Sequence, residues 1–247
     1  MNKLLVKEKE IVIPGQELAE GDYIDGSGAF KEDNKVISYY LGLASINEKF
    51  VKVIPLTGKY MPKENDIVIG KVTDIGFYGW SVDLDCVYNA TLSIREVSEF
   101  VERNDDLTKY YNFGDVIVGK IIRVSKQKNV DITTKGPGLK KLAGGKIIDV
   151  TPSKVPRMIG KQGSMINMIK EKTGCNILIG QNGKVWIKGD SIESEILVTK
   201  IIMKIEQESH LEGLTDKIKK LLEEKWQHKI KDIQEENLMK WERWKQN

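Results

Sequence analysis

The sequence predicts a multidomain chain, mainly β and then α+β: a small N-terminal β domain, a five-stranded barrel, a β-α-α-β-β-α unit and a C-terminal amphipathic helix. Three observations predict it. Short β-prone runs separated by glycines and charged turns fill roughly the first half of the chain. Two matching stretches, Asp66-Ile67-Val68-Ile69-Gly70-Lys71-Val72 and Asp115-Val116-Ile117-Val118-Gly119-Lys120-Ile121, repeat about fifty residues apart, as two strands of one barrel would. Beyond them the apolar spacing changes from two to the helical i, i+3, i+4 pattern on both sides of Gly160-Lys161-Gln162-Gly163.

Length and composition bound the function. A chain of 247 residues, 40% hydrophobic and 30% charged, can hold two or three domains with real cores and is neither disordered nor fibrous. It has no run of eighteen apolar residues, and charge interrupts Met1-Asn2-Lys3-Leu4-Leu5-Val6-Lys7 before a secretory segment develops, so a cytoplasmic protein with no membrane contact is expected. Cys86 and Cys175 are too isolated for a disulfide framework or a metal site. The two histidines, His210 and His228, lie in the charged tail, with no nucleophile–base pair or metal-ligand spacing. No catalysis, cofactor or metal is therefore expected. The net charge of +3 hides a gradient: residues 64–134 carry 8 basic and 12 acidic side chains, whereas residues 135–172 carry 9 and 2. That basic block is the expected footprint of a polyanion.

Residues 1–63 form the first unit, with strands expected at Ile11-Val12-Ile13, Lys35 to Tyr40 and Phe50 to Ile54. It has no basic surplus, which suits docking better than chemistry. Residues 64–136 form the second. The repeated strands, Tyr78 to Leu84, Ala90 to Ile94 and Val130 to Thr133 make five, the number of an OB-type Greek-key barrel. This stretch resembles the RNA-binding OB repeat of the large ribosomal protein of the small subunit, in which aromatic side chains stack on RNA. Tyr78 occupies the first aromatic position of that pattern, while Ser81 and Ser93 replace an aromatic and a histidine. Alternation sends Trp80, Val82 and Leu84 inward together, leaves Phe77 with the opposite parity, and lets a bulge at Gly79 turn Tyr78 outward. Charge is then expected to carry much of the RNA contact through Lys71, Arg95, Lys120 and Arg123.

Gly136-Pro137-Gly138-Leu139-Lys140-Lys141-Leu142 reads as a linker, neither helix nor strand. Residues 137–207 hold the third unit: a strand at Gly145 to Val150, two short helices flanking Gly160-Lys161-Gln162-Gly163, strands at Asn176 to Ile179 and Lys184 to Lys188 around a Gly-Gln-Asn-Gly turn, and a helix from Ser191. This order resembles the eukaryotic-type KH domain, whose GxxG loop clamps about four nucleotides of a single strand. The resemblance implies that Gly160 and Gly163 admit the sugar–phosphate chain, with Lys161, Gln162 and Arg157 around it. In residues 208–247 a stripe of Leu214, Ile218, Leu221, Leu222, Ile230, Ile233, Leu238, Trp241 and Trp244 predicts an amphipathic helix that docks on a partner or folds back on the chain.

Taken together, Ile13-Pro14-Gly15, Asp25-Gly26-Ser27-Gly28, Pro55-Leu56-Thr57-Gly58-Lys59-Tyr60, Trp80-Ser81-Val82-Asp83-Leu84, Gly136-Pro137-Gly138 and the GxxG loop are similar to the RNA-binding cap subunit of the archaeal exosome. The resemblance implies a non-catalytic protein, three copies of which sit on a hexameric ring of RNase PH-like subunits and feed single-stranded RNA to its phosphorolytic sites for 3′-to-5′ degradation or tailing. A free-standing OB/KH regulator related to transcription elongation factors is the alternative, although those carry tandem KH units and this chain has one GxxG.

Overall fold

The computed structural model describes residues 2–56, 58–102, 105–125, 127–209 and 213–223. Its N-terminal part is built from eight short strands: β1 (Lys3–Leu4), β2 (Ile11–Val12), β3 (Glu17–Glu20), β4 (Ile24–Asp25), β5 (Ala29–Glu32), β6 (Lys35–Ser38), β7 (Gly42–Asn47) and β8 (Phe50–Pro55). They form two four-stranded sheets, ordered β1-β3-β6-β5 and β2-β7-β8-β4. Leu18, Val12, Val36, Ala44 and Val51 fill one core between them. The larger Ile11, Ile13, Ile24 and Phe50 stay on the surface.

The barrel follows as β9 (Ile67–Gly76), β10 (Gly79–Asp83), β11 (Ala90–Ser93), β12 (Val116–Val124) and β13 (Val130–Thr133). Its order is β13-β11-β10-β9-β12, and β12 pairs back with β13 to close the ring. The two matching stretches of sequence are neighbours, with Val116 opposite Lys71 and Lys120 opposite Ile67. Alternation decides the interior as expected: Val68, Val72, Trp80, Val82, Leu84 and Leu92 are buried there. The Trp80 indole N–H donates to the Tyr111 carbonyl at 2.8 Å, and the two rings meet edge-on at 5.3 Å. Trp80→Phe leaves that carbonyl without its donor and part of the indole's space empty, so urea unfolding should show a loss of about 2–5 kcal/mol.

The linker departs from expectation at its end. Lys141–Leu142 forms a short strand, β14, paired with Val116 and Ile117 on β12, and the Lys141 ammonium pairs with Asp115. Gly136, Pro137 and Gly138 do interrupt regular structure, but burial of Leu142 against Ile69, Val118 and Trp186 draws the next residues onto the sheet. The last part comprises β15 (Lys146–Asp149), α1 (Val155–Ile159), α2 (Ser164–Thr173), β16 (Asn176–Ile179), β17 (Lys184–Lys188) and α3 (Ile192–Gln207). Its antiparallel sheet is ordered β15-β17-β16. Ser191 caps α3 by accepting from the Ser194 amide, and Gly174 ends α2 in the left-handed conformation. A further helix, α4 (214–223), sends Leu214, Ile218 and Leu222 into the same core as Met158, Met165 and Ile202. The start of the amphipathic stripe thus folds back on the chain. Its later members, Ile230, Ile233, Leu238, Trp241 and Trp244, lie outside the described residues, as do His210 and His228.

Candidate nucleic-acid interface

The loop between α1 and α2 has a backbone that few sequences could adopt. Gly160 sits at φ 76° and ψ 174°, where a Cβ would come within 2.8 Å of both the backbone nitrogen and the Cβ of Met165. Gln162 at φ 53° and Gly163 at φ 78° then turn through the left-handed region. Three positive φ values in four residues reverse the chain tightly enough that Lys161 and Gln162 project into solvent, while the α2 amides begin at the loop's inner rim. An exposed lysine beside a helix start is a geometry that receives phosphate. Arg157 lies on the exposed side of α1, and Lys170 and Lys172 lie in the last turn of α2.

A second surface opens at one end of the barrel. Phe77 and Tyr78 are not strand residues, so parity does not govern them: they are the two-residue turn between β9 and β10, flanked by the pairing of Gly76 with Gly79. Gly79 makes the turn possible, because a Cβ there would lie 2.0 Å from the Leu92 carbonyl oxygen. The turn leaves Phe77 97% and Tyr78 83% exposed. The Tyr78 carbonyl accepts from the Ile94 amide at 3.1 Å, which brings in the short 3-10 turn Ile94–Glu96 and with it the exposed Arg95. Phe77, Tyr78, Ser93 and Arg95 line an open groove of about 950 Å³ together with Glu102, Asp105, Asp106 and Thr108. The Tyr110 hydroxyl donates to Asp105 at 2.8 Å and holds its carboxyl below the usual range, and the Thr108 hydroxyl does the same to Asp106 at 2.6 Å. Both are ionised acceptors at neutral pH, as exposed carboxylates are without any such help. Exposed aromatic faces beside a guanidinium can stack bases and hold phosphate, whereas the carboxylates of the groove cannot take phosphate.

The comparisons with known proteins cover most of the chain. A family model for the exosome RNA binding protein RRP4 N-terminal domain matches residues 9–57, and a KH-domain model matches residues 145–193. Exosome complex component Rrp4 of Methanothermobacter thermautotrophicus is 46% identical over 220 residues, spanning 89% of this chain and 70% of that protein. That of Thermococcus kodakarensis is 44% identical over 248 residues, 96% of each chain. The chain belongs to the Rrp4 family. Among solved structures, one described as a putative exosome complex RNA-binding protein shares 32% identity with a TM-score of 0.61, covering 70% of this chain and 99% of the other.

In this member of the Rrp4 family the remaining sequence candidates do not gather at the groove. Lys71 lies midway along β9, in a cleft of about 210 Å³ with Asp83, Asp85, Ile147 and Lys184 rather than at the aromatic turn. Lys120 faces the barrel strand that meets the KH unit, opposite Ile67. Arg123 is exposed and stands across from Asp131. Of the sequence candidates, Phe77, Tyr78 and Arg95 are brought together in one groove, and the GxxG loop belongs to the KH unit.

Sequence reasoning missed the seam between barrel and KH unit. The first residues of β9 pair with β12 on one side only, and the turn between β16 and β17 fills the other side. The Ile67 amide donates to the Gln181 side chain at 2.9 Å, and the Gln181 amide donates to the Ile67 carbonyl at 2.8 Å. Asn182, 5% exposed, accepts from the Ile69 amide at 3.2 Å and donates to the Ile69 and Leu84 carbonyls at 2.7 and 3.0 Å. Beside it, Lys184 bridges Asp85 and Asp149 at 2.7 and 2.6 Å. Burial opposes the charge on Lys184, but the two hydrogen bonds outweigh it and hold the ammonium above its ordinary pKa. A pair of amide side chains between two glycines was the available signal, and it was equally that of an ordinary hairpin turn.

Proposed function

We propose that this chain is the non-catalytic RNA-binding cap of an exosome in the cytoplasm. It docks through residues 1–63 on a hexameric ring of RNase PH-like subunits, three copies per ring, and presents single-stranded RNA for 3′-to-5′ phosphorolysis or tailing. The observation that carries this reading is the Phe77-Tyr78 turn beside Arg95: two aromatic side chains almost wholly in water, next to a cation, in a chain of the Rrp4 family. The GxxG loop with Arg157 and Lys161 is a second grip on the same strand. The chain's own residues hold and orient RNA; bond cleavage is assigned to the ring.

One chain supplies a handful of phosphate contacts and one or two stacked bases, so its affinity belongs near the non-specific range of about 10⁻⁴ to 10⁻⁶ M. Three linked grips raise avidity by about 10² to 10⁴ when geometry lets them engage one strand. The test is decay of a length series of 3′-tailed RNAs by bare rings, capped rings, and rings capped with a Tyr78→Ala/Arg95→Glu variant. Long RNAs should gain strongly from the cap and short ones little. The variant should stay on the ring and lose most of that gain. Equal help for short and long RNA, or nanomolar binding by the isolated chain near physiological salt, would favour a free-standing RNA binder.

A further inference from the structure

The seam between barrel and KH unit rests on a chemically labile pair. Asn182-Gly183 is the only Asn-Gly step in the chain, and asparagine before glycine closes a succinimide readily because no side chain on the next residue hinders its backbone nitrogen. We propose that Asn182 is a self-modifying site: the closed seam protects it, and once the seam opens it deamidates and the KH unit no longer closes on the barrel. Neither residue of the pair can be exchanged without loss. Gly183 sits at φ 85°, where a Cβ would lie 2.3 Å from the Val150 carbonyl oxygen. Asn182 accepts from the Ile69 amide and donates to the Ile69 and Leu84 carbonyls, which takes an amide side chain. The labile step is therefore built into the seam.

Deamidation requires the Gly183 nitrogen to lose its proton to solvent and attack Cγ of Asn182. The new N–C bond closes the succinimide, the Cγ–Nδ2 bond breaks, and Nδ2 takes up protons from solvent and leaves as ammonia. Water then opens the ring to aspartate or isoaspartate, so the net change is water consumed and ammonia released. In the closed seam each participant is held elsewhere. The Gly183 amide donates to the Gly180 carbonyl at 3.0 Å, the Gly183 carbonyl accepts from the Val150 amide at 2.8 Å, and Nδ2 is fixed on two carbonyls at 2.7 and 3.0 Å. The product cannot remake these bonds. A carboxylate only accepts, so the Ile69 and Leu84 carbonyls would face lone pairs and a buried charge in place of two donors. Isoaspartate also adds a methylene to the backbone just before Gly183 and Lys184, which draws the Lys184 ammonium away from Asp85 and Asp149.

The experiment is mass spectrometry of tryptic peptides from the full chain after incubation in warm, mildly alkaline buffer, native and in guanidinium chloride. Conversion at Asn182 should be at least about tenfold slower in the native chain, because it waits on an opening of the seam. Leu142→Ala removes apolar packing on Ile69, Val118 and Trp186 and leaves the Asn-Gly step and its sequence neighbours untouched. It should speed native conversion by at least about tenfold. Equal rates in native and denatured chain, or a native rate that Leu142→Ala leaves unchanged, overturns protection by the seam. The consequence is read on the aged, unsubstituted chain, with Asn182→Asp as a second sample of the product. Denaturant unfolding of either should show two transitions where the fresh chain shows one. A deamidated chain that still unfolds in one transition at the original midpoint, or a fresh chain that already shows two, overturns the claim that deamidation parts the two units.

Discussion

Asn182→Ala is expected to lower the unfolding free energy by about 3–6 kcal/mol, since it strips partners from two backbone groups of Ile69 and one of Leu84, and each buried unpaired group costs about 1–3 kcal/mol. The residue is almost fully buried, so water does not replace the broken bonds easily. Because its three hydrogen bonds all cross from the KH hairpin to the barrel, the substitution should also uncouple the two. Denaturant unfolding followed by tryptophan fluorescence and by circular dichroism should change from one transition to two. Gln181→Ala, at a more exposed site, should cost about 1 kcal/mol and leave the transition single. A loss below about 1 kcal/mol for Asn182→Ala, with one transition, would mean that the seam is wet and the apolar packing of Trp186 holds it alone.

Replacing Lys161 and Gln162 together by Asp should weaken single-stranded RNA binding by at least about tenfold, because a charge-assisted hydrogen bond of about 1.5–3 kcal/mol becomes a repulsion. The log–log salt slope should also fall by roughly 0.7 for each phosphate the loop no longer neutralises. Folding should be untouched, since both side chains are exposed and none of the helix core moves. Gly160→Ala should do the reverse of this: its new methyl meets the Met165 backbone, so the unfolding midpoint drops, and binding falls only through the distorted loop. If the double Asp variant binds RNA with unchanged affinity and slope, the loop is a structural corner.

Local chemistry was readable in the sequence wherever one period or one turn decided it. The Trp80-Val82-Leu84 parity, the helix faces around the GxxG loop and the capping at Ser191 all depend on residues a few positions apart. What depended on distant pairing was not readable. Tyr78 looked like the first residue of a strand because the end of β9 is set by register with β10, and the exposure of Phe77 and Tyr78 follows from the turn. Lys71 matched a basic RNA face by type, but its place on β9 puts it in the cleft that Asp83, Ile147 and Lys184 also line. The acidic surplus of residues 64–134 was visible as a number, yet nothing in it placed Glu102 and Asp106 in one groove with Arg95. Asn182 and Ile69 are 113 residues apart, a distance over which no local pattern operates.

That separation has a consequence for a chain emerging from the ribosome. All five barrel strands are out once Thr133 has been made, but the side of β9 that receives Gln181 and Asn182 waits for about fifty more residues. At about 5–20 residues per second the wait lasts several seconds. During it a stretch of backbone with open N–H and C=O groups is offered to any neighbouring strand, the usual opening for mispairing between nascent chains. Translation that stalls after the barrel would therefore release a sticky fragment, whereas a chain carried through the second glycine of Gly180-Gln181-Asn182-Gly183 closes its own edge.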